Sequence, residues 1–360
     1  MDLQILSARN PENARLWVEL WQSLPDGRRD IYFLPAFSLA NEEDGRGEAL
    51  CFAARRGSAL LLHPFLRAPV PGAAELGLDG PAWDIQTPYG YGGPVVNEPG
   101  EEPGFLRAAW ESFATWCCQA GVIAEFLRFH PLIQNERWAG ATTRILPNRT
   151  TVWFDLQTYP LDFHTSSFYR NHRQMTNRAV RAGATTESVP AAEAMEWFAP
   201  KYASTQDVMG AGAETRFSPA YFNSLARGLG PRATVWSVRR AGGALARATL
   251  QMEGDWFSHG HVMAYGEDAS AAGSTDLLLH DVALEAAGRG LKTLHIGGGR
   301  AAGADDALLK FKAKLAPGRA DFHIGTRCHQ PDRFESLKRA WQDRNGPPPP
   351  GFFLFYRSAG

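Results

Sequence analysis

Two stretches of the chain repeat one pattern of apolar and polar positions. Cys51–Phe65 reads CFAARRGSALLLHPF, and Trp236–Leu250 reads WSVRRAGGALARATL. In each, an apolar run leads through two arginines to a glycine turn and a second apolar run, which predicts a β-hairpin. Gly57 of the first hairpin aligns with Gly242 of the second.

A helix and a strand follow each hairpin. Phe105–Ala120 and Leu277–Arg289 have helical periodicity, and each leads directly to a glycine, Gly121 or Gly290. The residues after them, VIAEFLRF and LKTLHIG, are typical of buried strands. Trp83–Val96 and Trp256–Tyr265 are predicted as third strands between hairpin and helix. The same order in both halves predicts a duplicated α/β fold with mixed α+β sheets and right-handed crossovers.

Proline and glycine suggest where the halves meet and where they end. LQTYPLD follows an alternating strand pattern, so we place the first domain at residues 1–157 and the second at 158–345. Residues 346–360 begin with GPPPPG, a stiff spacer. The run Phe352–Tyr356 is then predicted as a final strand that packs back on the body, because its aromatic side chains would otherwise be exposed.

Composition and charge exclude several classes of protein. Apolar residues make up 44% and charged residues 21%, and the net charge is −1, so neither disorder nor a global basic field is indicated. No stretch free of Asp, Glu, Lys and Arg is longer than Ser112–Ala124, which is too short for a membrane span. The N-terminus lacks a signal-peptide pattern, and the four cysteines form no CxxC pair. These features favour a cytoplasmic protein.

An aromatic and glycine-rich block, WDIQTPYGYGGP, is the first candidate site. Its glycines permit close approach of a ligand, and Tyr89 and Tyr91 offer a flat apolar face and a hydroxyl. Asp84 is the acidic candidate of the same block. The alternative is a bulged strand end that closes with a glycine turn.

A basic helix is the second candidate. The sequence TSSFYRNHRQMTNRAVRAG predicts a helix capped by Thr165 or Ser166 and ended by Gly183. Phe168, Met175 and Ala179 would share one face. The opposite face would carry Arg170, Arg173 and Arg181, and Arg178 would lie at its edge. Such a row of arginines is suited to binding a phosphate or diphosphate. The alternative is a solvated basic face.

A short helix near the C-terminus carries the third candidate. In DDALLKFKAKL, Asp305 and Asp306 would cap the helix, and Phe311 would lie on its buried side with Leu308 and Leu315. Lys312 falls nearest that side of the three lysines, so it can point into a cleft, the alternative being a snorkelling surface lysine. The preceding LHIGGGR marks close backbone approach or a flexible loop.

Other chemistry has weaker support. His259 and His261 would point to one face of a strand, but no third ligand with metal-site spacing accompanies them, so we predict no metal site. Serine hydrolase chemistry is not indicated either, because no Gly-x-Ser-x-Gly elbow is present.

Several of these blocks together resemble the Fem-type aminoacyl transferases and their relatives with tandem acetyltransferase-like (GNAT) domains. They are DIYFLPAFSLA with the first hairpin, WDIQTPYGYGGP, the basic helix, and the stretch Leu277–Leu315 that ends in Phe311-Lys312. The resemblance covers roughly residues 28 to 330. It implies two tandem GNAT-like acyltransferase domains, with Lys312 and Phe311 where the acyl group is transferred. It further implies that phosphate is contacted from the basic helix, whose best-matching positions are Arg173 and Arg178, and that Tyr89 and Tyr91 line an acceptor cleft.

The implied activity is transfer of an acyl or aminoacyl group from an activated donor to an amine. The acceptor would be a small-molecule or a nucleotide- or lipid-linked precursor of the cell envelope or another pathway, and no cofactor would be resident. The co-substrate is left open between aminoacyl-tRNA and acyl-CoA. EDASAAGSTDLLLHD lacks the glycine turn of CoA-binding relatives, whereas the net charge of −1 offers no obvious surface for tRNA. The alternatives are an acyl-CoA-dependent N-acyltransferase and a non-catalytic binding protein on the same scaffold.

Overall fold

The computed structural model describes residues 1–266, 271–300 and 305–358. Two compact units share the chain. Unit 1 comprises Met1–Arg28, Tyr32–Pro147 and the chain from His323 onwards, and unit 2 comprises Arg29–Ile31 and Asn148–Phe322. Among the described residues, no helix is both long enough and apolar enough to cross a bilayer.

Unit 1 is a mixed sheet with helices. Its helices are α1 (Pro11–Gln22), α2 (Pro35–Glu43), α3 (Pro103–Gln119) and α10 (Pro331–Asn345). Its strands are β1 (Asp2–Ser7), β2 (Glu48–Arg56), β3 (Ala59–Pro69), β4 (Trp83–Gln86), β5 (Val95–Val96) and β6 (Val122–Arg128), with the second part of β13 (Gly318–Cys328). The strand order is β1-β2-β3-β4-β6-β13, and β5 pairs with β3. Only β4 and β6 in this series run parallel.

Unit 2 repeats this arrangement. Its helices are α4 (Tyr159–Thr165), α5 (Arg170–Arg181), α6 (Ala191–Val208), α7 (Pro219–Leu229), α8 (Ser274–Gly288) and α9 (Ala307–Ala313). Its strands are β8 (Thr185–Pro190), β9 (Ala233–Arg239), β10 (Leu245–Glu253), β11 (Phe257–Tyr265) and β12 (Thr293–Gly298), with most of β7 (Arg144–Asp155). The order is β8-β9-β10-β11-β12-β7, and only β11 and β12 run parallel.

The predicted duplication is confirmed. Both predicted hairpins form, as β2–β3 and β9–β10, and their turns use glycines with positive φ: Gly57 at 60°, Gly242 at 91° and Gly243 at 88°. The predicted helices and the strands after them correspond to α3–β6 and α8–β12. Identical order and direction of six strands make the two units copies of one topology.

One third strand is shorter than predicted. The prediction covered residues 83–96, whereas the structure has β4 and β5 separated by the glycine-rich block. Gly90 and Gly93 have φ of 94° and 84°, which a strand does not allow. The other third strand, β11, agrees with the prediction within one residue.

The sixth strand of each unit comes from the other half of the sequence. Strand β7 follows the first repeat but pairs with β12 of unit 2, and β13 follows the second repeat but pairs with β6 of unit 1. The unit boundary therefore falls within β7, between residues 147 and 148, instead of at 157/158. Residues 323–345, which the sequence assigned to the second domain, lie in unit 1 because β13 and α10 pack there.

The C-terminal segment packs on unit 1 as predicted, but not as a strand. Phe355–Arg357 form a 3₁₀ turn, and Leu354, Phe355 and Tyr356 are buried against the apolar face of α10. The spacer brings the chain back without a strand partner. Burial of these three side chains, each worth about 2 kcal/mol, explains why the segment is held, whereas Phe352 at its start is 58% exposed.

Candidate active site

Lys312 lies on the buried side of α9. The helix begins at the N-cap Asp306, whose Oδ1 accepts from the Leu309 amide at 2.8 Å, as the sequence predicted. The Lys312 ammonium donates to the Gly298 carbonyl oxygen at 2.8 Å. Burial lowers the pKa of Lys312 to about 8; the Asp306 carboxylate opposes this shift, and the Arg149 cation adds to it.

The two other lysines of the helix have different surroundings. Lys310 is exposed and pairs with Asp305 at 3.0 Å, and Lys314 is exposed at the end of the helix. Phe311 is 42% exposed, so the expectation that it lies on the buried side is wrong. The buried side instead runs through Leu309, which packs on the core, and Lys312, because this phase brings Leu315 inside. The helix therefore aims Lys312 inward and Phe311 outward.

The three-glycine loop after β12 passes close to other backbone. A Cβ on Gly298 would lie 2.8 Å from the Thr150 carbonyl oxygen, and one on Gly299 would overlap the Asp306 carboxylate. Arg149 of β7 donates to the Gly299 and Arg300 carbonyl oxygens at 2.8 and 3.1 Å, and Asp306 accepts from the Arg300 amide at 2.9 Å. The predicted close approach is confirmed. Arg149, which no motif indicated, donates to this loop as Lys312 does.

Two pairs of polar side chains lie where β11 and β12 stop pairing. The last register pair of these parallel strands is His259 with His295. His259 Nε2 lies 2.7 Å from Asp30 Oδ2, and His261 Nε2 lies 2.7 Å from the Tyr221 hydroxyl. His259 is almost fully buried and His261 is half-buried. Beyond this pair β12 continues to Gly298 with β7 as its partner and no longer with β11. The Lys312 ammonium, which donates to the Gly298 carbonyl oxygen, therefore lies past the end of the β11–β12 pairing.

The basic helix α5 begins later than predicted. Thr165 and Ser166 do not cap it, because Tyr159–Thr165 form a separate helix, α4. Arg173 is half-buried and donates to the Phe163 and Ser166 carbonyl oxygens, which ties α5 to the end of α4. Arg170, Arg178 and Arg181 are exposed. Arg173 thus has a structural contact that the other three lack among the described residues.

A chain of polar side chains fixes α5 from beneath. His172 Nδ1 lies 3.0 Å from Asp276 Oδ1, and the Tyr159 hydroxyl lies 3.0 Å from His172 Nε2 and 2.9 Å from His280 Nδ1. A neutral His172 with its proton on Nδ1 would accept the Tyr159 proton, and the hydroxyl oxygen would accept from His280. Burial, with His172 nearby, lowers the pKa of His280 to about 4. The chain joins α4, α5 and the first turn of α8.

The candidates of unit 1 have mixed outcomes. Asp84 is fully buried and pairs with Arg357 of the C-terminal segment at 2.7 Å. Burial raises the pKa of Asp84 to about 6 against the opposing effect of Arg357. This pairing gives Asp84 a structural partner, and its predicted contact with a ligand stays a prediction. Tyr89 and Tyr91 are half-buried, and Tyr91 packs edge-on against Tyr32 and His130. Their role as acceptor-contacting residues stays a prediction.

No family model and no curated protein matches the sequence. Solved structures do match. FemX has a TM-score of 0.69 at 13% identity, with 93% of this chain and 99% of FemX covered. L-PGS from Bacillus licheniformis has a TM-score of 0.58 at 14% identity, with 90% and 94% covered. The C-terminal DUF2156 domain assigned to lysylphosphatidylglycerol synthetase from Agrobacterium fabrum has a TM-score of 0.57 at 17% identity, with 93% and 98% covered.

These similarities agree with the duplicated topology. The chain has the Fem-type fold, built from two tandem GNAT-like units of mixed α/β structure, as the sequence predicted. The stretch in which CoA-binding relatives carry their glycine turn includes residues 267–270, which lie outside the described residues, as do residues 301–304 after the glycine loop.

Proposed function

We propose that the protein transfers an acyl or aminoacyl group from an activated donor to an amine, with the reacting carbonyl bound beside Lys312. The observation that supports this most is the half-buried Lys312, whose desolvated ammonium lies just past the last β11–β12 residue pair. Burying a cation costs free energy that a merely structural residue would avoid, and perturbed lysines of this kind are typical of functional sites.

The reaction depends mainly on the positioning of the two substrates and on one cation, and less on covalent catalysis. The acceptor nitrogen attacks the donor carbonyl, a C–N bond forms, and the bond from carbon to the donor's ribose oxygen or CoA sulfur breaks. The nitrogen's proton leaves with that oxygen or sulfur. Negative charge develops on the carbonyl oxygen in between, where a desolvated ammonium stabilises it most. One N–H of the Lys312 ammonium donates to the Gly298 carbonyl oxygen, and the other two can donate to the substrate.

Aminoacyl-tRNA is the donor that the sequence and the fold together favour. The sequence lacks the glycine turn that holds the CoA pyrophosphate in acetyl-CoA-using relatives. One structural neighbour is named a lysylphosphatidylglycerol synthetase, and the product in that name is a lipid that carries an aminoacyl group. Acyl-CoA is the alternative donor, favoured by a net charge of −1 that supplies no broad basic surface for tRNA. The acceptor would be a small-molecule amine or a nucleotide- or lipid-linked precursor.

A side-by-side transfer assay tests the proposal. The purified protein is incubated with aminoacyl-tRNA or with acyl-CoA and a panel of amine acceptors, and amide formation is followed by mass spectrometry. We expect turnover with aminoacyl-tRNA. Turnover with acyl-CoA alone would show that acyl-CoA, and not aminoacyl-tRNA, is the donor. No turnover with either donor would favour a non-catalytic binding protein.

A further inference from the structure

The outer surface of α4 and α5 in unit 2 combines arginines with exposed apolar side chains. We call Leu161, Phe168, Arg170, Arg178, Val180 and Arg181 the α4–α5 surface. Leu161, Phe168 and Val180 are 69%, 41% and 53% exposed. They belong to α4, to the turn before α5, and to the last turn of α5. Apolar side chains therefore lie at both ends of the arginine stripe.

The arginines of this surface lack acidic partners. At 100° per residue, Arg170, Arg178 and Arg181 fall within about 80° of one another on α5. None of them forms an ion pair with a described residue, whereas Arg173 of the same helix is used by backbone carbonyls. Between Asp162 and Glu187 the sequence contains no carboxylate at all. Among the residues that the structure describes, no carboxylate therefore neutralises the positive charge of this surface.

This combination fits the headgroup region of an anionic bilayer. Arginines attract lipid phosphates, while exposed aliphatic and aromatic side chains enter the boundary between headgroups and acyl chains. An RNA backbone would account for the arginines but not for exposed Leu161 and Val180, because RNA binding relies on charge and on aromatic stacking. The buried chain from Asp276 through His172 to His280 keeps α5 rigid beneath the surface.

We propose that the α4–α5 surface docks the protein on the surface of an anionic membrane. This docking uses lipid phosphates as ligands of the arginines that the sequence indicates for a substrate phosphate, and it needs no donor to occur.

Vesicle co-sedimentation tests the docking. The full chain is mixed with vesicles of phosphatidylcholine alone or with 30 mol% phosphatidylglycerol, at low and at high salt. We expect binding only to the anionic vesicles, weakened by salt. Replacing Arg170, Arg178 and Arg181 by glutamine should weaken it on the order of 100-fold, at about fivefold per arginine. A matched control replaces the exposed Arg15, Arg55 and Arg107 of unit 1 by glutamine and so removes the same charge. Its affinity for the anionic vesicles should fall less than about threefold.

A charge-neutral variant separates membrane from RNA. Phe168→Ser should weaken vesicle binding about tenfold and leave binding of uncharged tRNA, measured by filter retention, unchanged. Circular dichroism verifies that each variant is folded. Wild-type protein that ignores anionic vesicles would overturn the proposal, as would equal losses in the two arginine triples. Failure here leaves the transfer assay intact, because the vesicle experiment contains no acyl donor and measures binding alone.

Discussion

Replacing Lys312 by methionine should reduce acyl transfer at least about tenfold, and at the same time make the protein more stable. A tenfold loss corresponds to about 1.4 kcal/mol of transition-state stabilisation, the scale expected for one charged hydrogen bond to the developing oxyanion. Transfer is measured as kcat/KM with whichever donor supports turnover.

The gain in stability follows from the pKa of Lys312. The pKa is about 8 in the folded protein against about 10.5 for an ordinary lysine, so the folded state holds this proton more weakly than the unfolded chain. The charged ammonium therefore lowers the free energy of unfolding below pH 8, by about 3 kcal/mol, and this cost disappears as the pH rises towards 10.5. Methionine removes the cost and the bond to Gly298, which leaves a net gain of about 2 kcal/mol at pH 7.

The neighbouring lysines are matched controls for both readouts. Lys310→Met and Lys314→Met change the same charge on exposed positions of the same helix, so we expect transfer within about twofold and stability within about 0.5 kcal/mol of wild type. Urea denaturation at pH 7 gives the free energy of unfolding. Equal losses of transfer at all three lysines would indicate a diffuse charge effect, and a destabilised Lys312→Met would contradict the buried-cation account.

Cutting the chain at the boundary that the sequence suggests should leave neither half folded. A fragment of residues 1–157 lacks β13, the partner of β6, and a fragment of residues 158–345 lacks β7, the partner of β12. In each fragment the edge of β6 or β12, a strand that is otherwise buried, would be exposed to water together with the hydrophobic core next to it. We expect no cooperative transition in urea for either fragment.

A fragment cut at the structural boundary is the control. Residues 144–322 contain β7 and every other complete strand of unit 2, although they lack Arg29–Ile31 and hence the Asp30 contact to His259. We expect this fragment to unfold cooperatively where residues 158–345 do not. Cooperative unfolding of residues 158–345 would show that β7 is dispensable.

The repeat could be predicted from the sequence because each hairpin and each helix–strand unit is defined by local patterns. Strand periodicity, glycine turns and helical phase all act between residues that are close in the sequence. That β7 pairs in unit 2 and β13 in unit 1 could not be predicted in this way, since the residue pattern of a strand does not determine which strand it pairs with. The same limit explains Asp84, whose partner Arg357 lies at the far end of the chain.

The site shows the same division. Helical phase and the Phe311-Lys312 motif led to Lys312, and the glycine run led to the loop that Lys312 contacts. Arg149 and Tyr221 gave no signal, because their contacts to the loop and to His261 join distant strands and helices. Phe311 was misplaced because a helix as short as α9 has too few apolar positions to fix its phase within one residue.

The pH dependence of transfer tests the role of Lys312 most directly. Single-turnover rates with saturating donor and acceptor are measured from pH 6 to pH 10 for wild type and Lys312→Arg. We expect the wild-type rate to fall above about pH 8, as the ammonium loses its proton, and the arginine variant to be slower but to show no such fall, because guanidinium stays charged. A wild-type rate that holds level from pH 8 to pH 10, or an identical fall in the arginine variant, would contradict the assignment of Lys312 as the cation at the reacting carbonyl.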